Sequence, residues 1–67
     1  MRWREETSYV LRSDSTPAYT IAKYFESGVA RYVVSRNEKF LGEPFYLHVK
    51  DAIAFCEDHY EKGRRTQ

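Results

Sequence analysis

The chain has 67 residues, one cysteine, and 11 Lys and Arg against 10 Asp and Glu, which gives a formal net charge of +1. A chain of this length forms one domain with a thin core, and we assign residues 1–67 to it, with frayed ends at 1–6 and 64–67. One cysteine excludes an intramolecular disulfide and favours a reducing, cytoplasmic location. No apolar run approaches the ~20 residues of a membrane span and no signal-peptide core follows Met1, so we expect no membrane association.

The first predicted elements are a strand over residues 7–12 and a turn over residues 13–17. In the turn, Asp14 and the flanking serines can bond their own backbone, and Pro17 disfavours a helical conformation at Thr16. Ahead of the strand, we expect Trp3 to cover an open edge of the core, because tryptophan is usually largely buried. The alternative for Trp3 is an exposed contact residue.

A β-hairpin is the clearest signal in the chain and spans residues 19–35. Two β-prone runs meet at Ser27-Gly28, a pair typical of a two-residue hairpin turn. A slip of one residue would place Lys23 beside Arg31, so the register that separates apolar from charged side chains is preferred. It predicts three cross-strand pairs: Phe25 with Ala30, Lys23 with Tyr32, and Ile21 with Val34. With the first strand, the hairpin predicts an antiparallel meander.

The last third of the chain predicts a loop and a helix. Asn37, Gly42 and Pro44 interrupt residues 36–44, so we expect a loop there that folds back over the end of the sheet. From His48 or Val49 to about residue 62, apolar side chains recur at helical spacing. They are Val49, Ala52, Ile53, Cys56 and Tyr60, with Phe55 on the flank. Gly63 is expected to end the helix.

The predicted fold is therefore α+β, a three-stranded antiparallel β-meander with one C-terminal helix packed on one face (β-β-β-α). The core joins the sheet to the helix through six side chains: Ile21, Tyr32, Val34, Ala52, Ile53 and Cys56. Burial contributes about 1.5–3 kcal/mol for each large side chain. Backbone ordering costs about 1–2 kcal/mol per residue, so the net stability is small. A homodimer that covered more surface would increase it.

The residues that could take part in catalysis do not form a catalytic pattern. Cys56 and His59 are three apart on the predicted helix, but Cys56 lies in the apolar stripe, where a thiol is usually inert filler. His48 stands at the helix start and is expected to be a local hydrogen-bonding group. The helix charges are expected to form a solvated face: Lys50, Glu57, Asp58, Glu61 and Lys62. We therefore expect no catalytic residue, no metal and no cofactor.

A binding surface is predicted on the sheet face that the helix leaves uncovered. There Tyr24 faces Arg31 across the hairpin, and Val33 lies beside them. An aromatic ring next to a guanidinium can stack on a base or contact a phosphate, or form a cation–π pair on a wet surface. Arg12 and Arg36 complete the candidate set. Basic residues also occur near the termini at Arg2, Arg4, Arg64 and Arg65, but acids are interspersed throughout, which is typical of solubilising charge.

Four short runs in the chain carry a resemblance: Tyr-x-Ile-x-Lys at 19–23, Arg-Tyr-Val at 31–33, Leu-Gly at 41–42, and Asp-Ala-x-x-x-Cys-Glu-x-His at 51–59. Together they resemble small phage- or prophage-encoded accessory proteins. That resemblance implies a mobile-element accessory role and transfers no active site. The β-β-β-α order is also similar to DNA-reading sheets in plant transcription factors and in integrase arm-binding domains. Those sheets carry a dense Arg, Lys and Trp array, where this chain has Arg31 and Tyr24.

We therefore expect a non-catalytic binding module that acts through a protein partner, with a homodimer left open. The first alternative is a nucleic-acid-binding module that uses the exposed sheet face and the basic termini. The second alternative is a small enzyme.

Overall fold

A computed structural model of the protein describes residues 1–65. It contains β1 (Trp3–Thr7), β2 (Val10–Ser13), β3 (Tyr19–Glu26), β4 (Val29–Arg36), β5 (Lys39–Tyr46) and α1 (Val49–Arg65). The strands form one antiparallel sheet in the order β1-β2-β3-β4-β5. The α+β class, the meander and the single C-terminal helix are confirmed. The predicted number of three strands is wrong, because the sheet has a further strand at each edge.

The central hairpin has the predicted register at every pair. Phe25 lies opposite Ala30, Lys23 opposite Tyr32 and Ile21 opposite Val34. The turn residues Ser27 and Gly28 have φ angles of 53° and 78°. Positive φ at both central positions is the geometry of a type I′ turn, whose twist matches that of the strands it joins. The local turn chemistry therefore determined the register.

Residues 36–44 form a second tight turn and a strand, so the predicted loop is wrong. Asn37 and Glu38 both have positive φ angles, 54° and 63°, and the chain returns along β4 as β5. Asparagine tolerates this conformation, but a glutamate there gives no turn signal in the sequence. Val34 pairs with Leu41 in the new hairpin, and Leu41 packs against the core.

A bulge in β5 explains why its sequence does not look like a strand. The register shifts after Val34 so that Tyr32 next pairs with Tyr46. Gly42 lies in the shifted segment with a φ of +74°, and a Cβ there would collide with the Tyr46 hydroxyl and the Phe55 ring. Only glycine fits this position, and Gly42 and Pro44 together interrupt the alternating pattern.

Strand β1 contains residues 3–6, which were predicted to be frayed, and Thr7, which was predicted to begin the first strand. That predicted strand over residues 7–12 is interrupted by a turn at residues 8–9. Arg4 lies opposite Arg12 and Glu5 opposite Leu11, with a bulge before Thr7. Asp14 holds the residue that precedes this strand through two hydrogen bonds. Its backbone nitrogen donates to the Arg2 carbonyl at 2.9 Å, and its Oδ1 accepts from the Arg2 backbone nitrogen at 3.0 Å. A charged edge strand has few apolar residues, so its sequence shows no alternating pattern and cannot be told from that of an irregular segment.

The helix lies across one face of the sheet, over β3, β4 and β5, and we call this the helix-covered face. Five side chains are fully buried between the two layers: Tyr19, Ile21, Val34, Ala52 and Cys56. Trp3 is half-buried and packs against this core, as predicted. The His48 carbonyl accepts the first helical hydrogen bonds, from Asp51 and Ala52.

The helix end differs from the prediction. Gly63 lacks the positive φ that terminates helices, and α1 continues through it to Arg65. The predicted stop at Gly63 is therefore wrong. Residues 66 and 67 of the predicted C-terminal tail lie outside the described residues.

The central hairpin extends beyond its neighbours. The last residue pair of β2 with β3 is Val10 with Ala22, followed by one backbone hydrogen bond from Lys23 N to the Tyr9 carbonyl, and β5 pairs with β4 only as far as Tyr32. Within the described chain, residues 24–31 therefore form a ribbon with no third strand beside it, and we call this ribbon the hairpin arm. It carries Tyr24 and Phe25 on opposite faces, and the latter is 56 % exposed.

Candidate binding surface

The sheet face opposite the helix is uncovered, and alternation along the strands decides which side chains it carries. Cross-strand pairing places these residues on it: Arg4, Val10, Arg12, Thr20, Ala22, Tyr24, Arg31, Val33, Ser35 and Phe40. We call it the uncovered face. Four of the five predicted site residues, Tyr24, Arg31, Val33 and Arg12, lie on this face.

The side chain of Arg31 on the uncovered face contacts an aromatic ring and a carboxylate. Its guanidinium lies 4.3 Å from the centre of the Phe45 ring, which is cation–π geometry. Its Nη1 is 3.6 Å from Oε1 of Glu26, and its Nε is buried with no hydrogen-bond partner among the described residues. Tyr24 lies directly opposite on β3. Arg31 is thus a fixed cation that keeps hydrogen-bonding capacity.

Arg12 is engaged by a carboxylate from its own sheet. Its Nε donates to Oε2 of Glu6 at 2.8 Å, and its Nη2 donates to Oε1 at 3.1 Å. This two-pronged bond lowers the pKa of Glu6 and raises that of Arg12, and the nearby Arg4 also lowers the pKa of Glu6. The charge of Arg12 is therefore largely compensated within the protein.

The middle of the uncovered face is apolar. Ala22 and Val33 form a half-buried cross-strand pair, with Val10 beside Ala22 on the next strand. At the far edge, Phe40 is 80 % exposed opposite Ser35. Sequence reasoning missed Phe40 as a surface residue because it assigned the residue to a loop. No sequence signal separates Phe40 from Leu41, because both are apolar; only the strand places Leu41 against the core and Phe40 on the surface.

Arg36 does not belong to this surface. It pairs with Tyr19, whose side chain is buried under the helix, and its Nη1 donates to the Tyr19 hydroxyl at 2.9 Å. The strand parity that puts Arg31 and Val33 on the uncovered face puts Arg36 on the helix-covered face. The predicted set therefore separates into a group of four residues and one residue on the opposite side.

The residues weighed for catalysis are far from this surface. Cys56 is fully buried in the core, as predicted, and burial raises the pKa of its thiol to about 12. The Nδ1 of His59 is 2.6 Å from the Tyr19 hydroxyl. In the part of the chain that the structure describes, no group of three or more His, Cys, Asp and Glu side chains could hold a metal ion.

Comparison with family models, with curated proteins and with solved structures finds no match for this chain. The resemblance to phage-encoded proteins therefore stays a prediction. Over the described residues, no helix has both the length and the apolar character needed to span a bilayer.

Proposed function

We propose that the protein is a non-catalytic binding module that recognises another protein through the uncovered face of its sheet. The observation that carries this proposal is the arrangement of that face, where the apolar pair Ala22 and Val33 lies next to Tyr24 and Arg31. Tyrosine and arginine dominate the energy of protein–protein contacts, and an apolar centre with a polar rim is the usual interface anatomy.

The ion pairs on this face favour a protein over a nucleic acid. Glu6 binds Arg12, and Glu26 lies beside Arg31. Nucleic-acid affinity comes mainly from cations that neutralise phosphates and release counterions. A phosphate that approached either arginine would be repelled by the carboxylate that already neutralises the guanidinium. A protein surface can instead satisfy the arginine and the carboxylate together.

The resemblance to phage-encoded proteins supports a mobile-element accessory role, in which the partner is a protein of the element or of its host. The single buried thiol supports a reducing, cytoplasmic setting. A homodimer through the uncovered face is the alternative that we keep open, because a second copy of the chain would add burial to a thin core.

The test compares partner capture by the wild-type chain and by a Tyr24→Ala, Arg31→Ala double variant, with and without nuclease. We expect capture of a defined protein that resists nuclease, is lost in the double variant, and is reproduced with the purified partner. Tyr9→Ala with Arg64→Ala is the matched control. Tyr9 lines a cavity with Ile21 and Val49 on the helix-covered side, and Arg64 lies in α1, so the control removes the same residue types outside the uncovered face and should leave capture intact.

Two outcomes would overturn the proposal. Equal capture by the wild type and the double variant would place the contact elsewhere. Saturable NMR shifts at Tyr24 and Arg31 with mixed-sequence oligonucleotides, weakening steeply with salt, would instead identify a nucleic-acid-binding module. A concentration series of the protein alone separates self-association from binding to another protein.

A further inference from the structure

A second set of cations lies on the helix-covered face, where β4 and α1 both approach their C-terminal ends. A shallow cavity of about 240 Å³ is lined there by Arg36, His59, Tyr60, Gly63 and Arg64. The Arg36 guanidinium and the His59 imidazole therefore share one depression, and the five residues that line it include no carboxylate. On its other side, Arg36 lines a second cavity whose wall includes Glu38. The cavity beside Arg2, Arg4 and Arg12 differs, because Asp14 is part of its wall.

Two hydrogen bonds behind this cavity join Arg36, Tyr19 and His59. A guanidinium can only donate, so the Tyr19 hydroxyl accepts from Nη1 of Arg36. The hydroxyl keeps its own proton, and we assign that proton to the bond with His59, 2.6 Å away, with Nδ1 as the acceptor. Burial raises the pKa of Tyr19, which keeps this proton in place. Because Nδ1 accepts a bond, the proton of a neutral His59 ring lies on Nε2.

The consequence is a cavity into which two side chains, Arg36 and His59, present donors beside the last turn of α1. Beyond the Tyr19 bond, Arg36 has further N–H groups, and the remaining ring nitrogen of His59 carries a proton. Aromatic rings fix these groups: Arg36 lies 5.0 Å from the Tyr19 ring centre and Arg64 lies 5.7 Å from that of Tyr60. The Phe55 and Tyr19 rings each lie 5.7 Å from the His59 ring, so the imidazole is held between them.

We propose that this cavity binds a single oxyanion of the phosphate class, either inorganic phosphate or the phosphate of a monoester. Arginine N–H groups match the oxygens of a phosphate and form charge-assisted bonds with it. Drug-sized ligands occupy roughly 300–1,000 Å³, so the volume of this cavity suits one phosphate group rather than a whole nucleotide. The site opens on the helix-covered side of Arg36, away from Tyr24 and Arg31 of the proposed protein contact.

The test is an NMR titration of the full chain at pH 7 with sodium phosphate, against sodium chloride at matched ionic strength. We expect saturable shifts at the ring nitrogens of His59 and at Nε of Arg36 with phosphate alone, and no comparable change at Arg4. A parallel titration with phosphoserine distinguishes the source. Tighter binding than that of phosphate identifies a monoester ligand, and equal or weaker binding identifies the free anion.

Two variants locate the site. Arg36→Gln should weaken phosphate binding about ten-fold or more, the effect of losing charged hydrogen bonds, whereas Arg4→Gln, in strand β1, should not change it. Tyr19→Phe keeps the ring and removes the hydroxyl, so it should alter the His59 tautomer, read from the Nδ1 and Nε2 shifts, and weaken binding by a smaller factor. Equal shifts with chloride, a linear response without saturation, or unchanged affinity in Arg36→Gln would overturn the proposal.

Discussion

Two cross-strand pairs of the same hairpin have opposite environments. Ile21 and Val34 face the helix and are 1 % and 0 % exposed, while the next pair, Ala22 and Val33, faces away and is half-buried. The pairs are adjacent in both strands and belong to one hairpin, so the hairpin alone gives them the same backbone environment. The helix alone makes the difference. Stability is therefore concentrated on the helix-covered face, which leaves the uncovered face available for contact.

The largest expected effect comes from adding a methyl group at Gly42, beneath the helix. A left-handed conformation costs a non-glycine residue about 1–2 kcal/mol, and overpacking adds about 1–3 kcal/mol. We expect Gly42→Ala to lower the free energy of unfolding by about 2–5 kcal/mol in urea melts, because Tyr46 and Phe55 occupy the space.

Gly28 is the matched control, since its φ of +78° is similar but nothing lies within 4 Å of an added Cβ. Gly28→Ala should cost only the conformational part, about 1–2 kcal/mol. Equal losses at the two glycines would contradict the packing of β5 against the helix.

The next effect compares one substitution on both faces. Val34→Ala should lower the free energy of unfolding by about 1.5–3 kcal/mol, because two buried carbons and a residual cavity contribute. Val33→Ala, one residue earlier and half-buried, should cost less than about 1 kcal/mol. Urea melts of the two variants measure this directly. Val33→Ala should instead weaken partner capture, and a reversed stability ranking would mean that the covered face is assigned wrongly.

The smallest effect at neutral pH concerns the Cys56 thiol. Its pKa is raised from 9.0 to about 12 by burial, so the folded state holds the proton over a range in which the unfolded chain releases it. The stabilising contribution is complete below about pH 9 and is lost as the pH rises toward 12. We expect the free energy of unfolding to fall with pH above 9, by up to about 1.4 kcal/mol per unit from this group.

Cys56→Ala provides the comparison for this pH dependence. It should be less stable at pH 7, because it leaves a cavity, but its stability should fall less steeply between pH 9 and 11. A slope identical to that of the wild type would show that the thiol does not titrate as its burial requires. Native-state labelling with a thiol reagent should be slow in the wild type for the same reason.

Sequence reasoning succeeded where short-range chemistry determined the structure. Ser27-Gly28 gave the hairpin register, and the apolar stripe around Ala52 and Cys56 gave the buried side of the helix. Both signals arise from residues close together in the chain.

It failed where an element depends on what lies beside it. Strand β1 is charged and forms against β2, and β5 contains a glycine whose role depends on the Phe55 ring across the core. Arg36 was placed with the binding residues because the turn after it was not recognised. In β4, which ends at Arg36, alternate residues face the same side. Arg36 is two residues after the buried Val34 and therefore lies on the helix-covered face.

The hairpin arm has a mechanical consequence for any partner. Two-stranded ribbons twist more than strands inside a sheet, and an isolated ribbon is marginally stable in water. The neighbouring strands stop pairing at Lys23 and at Tyr32, and Arg31 contacts the Phe45 ring beside that point. A bend of the arm there would change the angle between Tyr24 and the residues Val33 and Arg12, whose strands are paired on both sides.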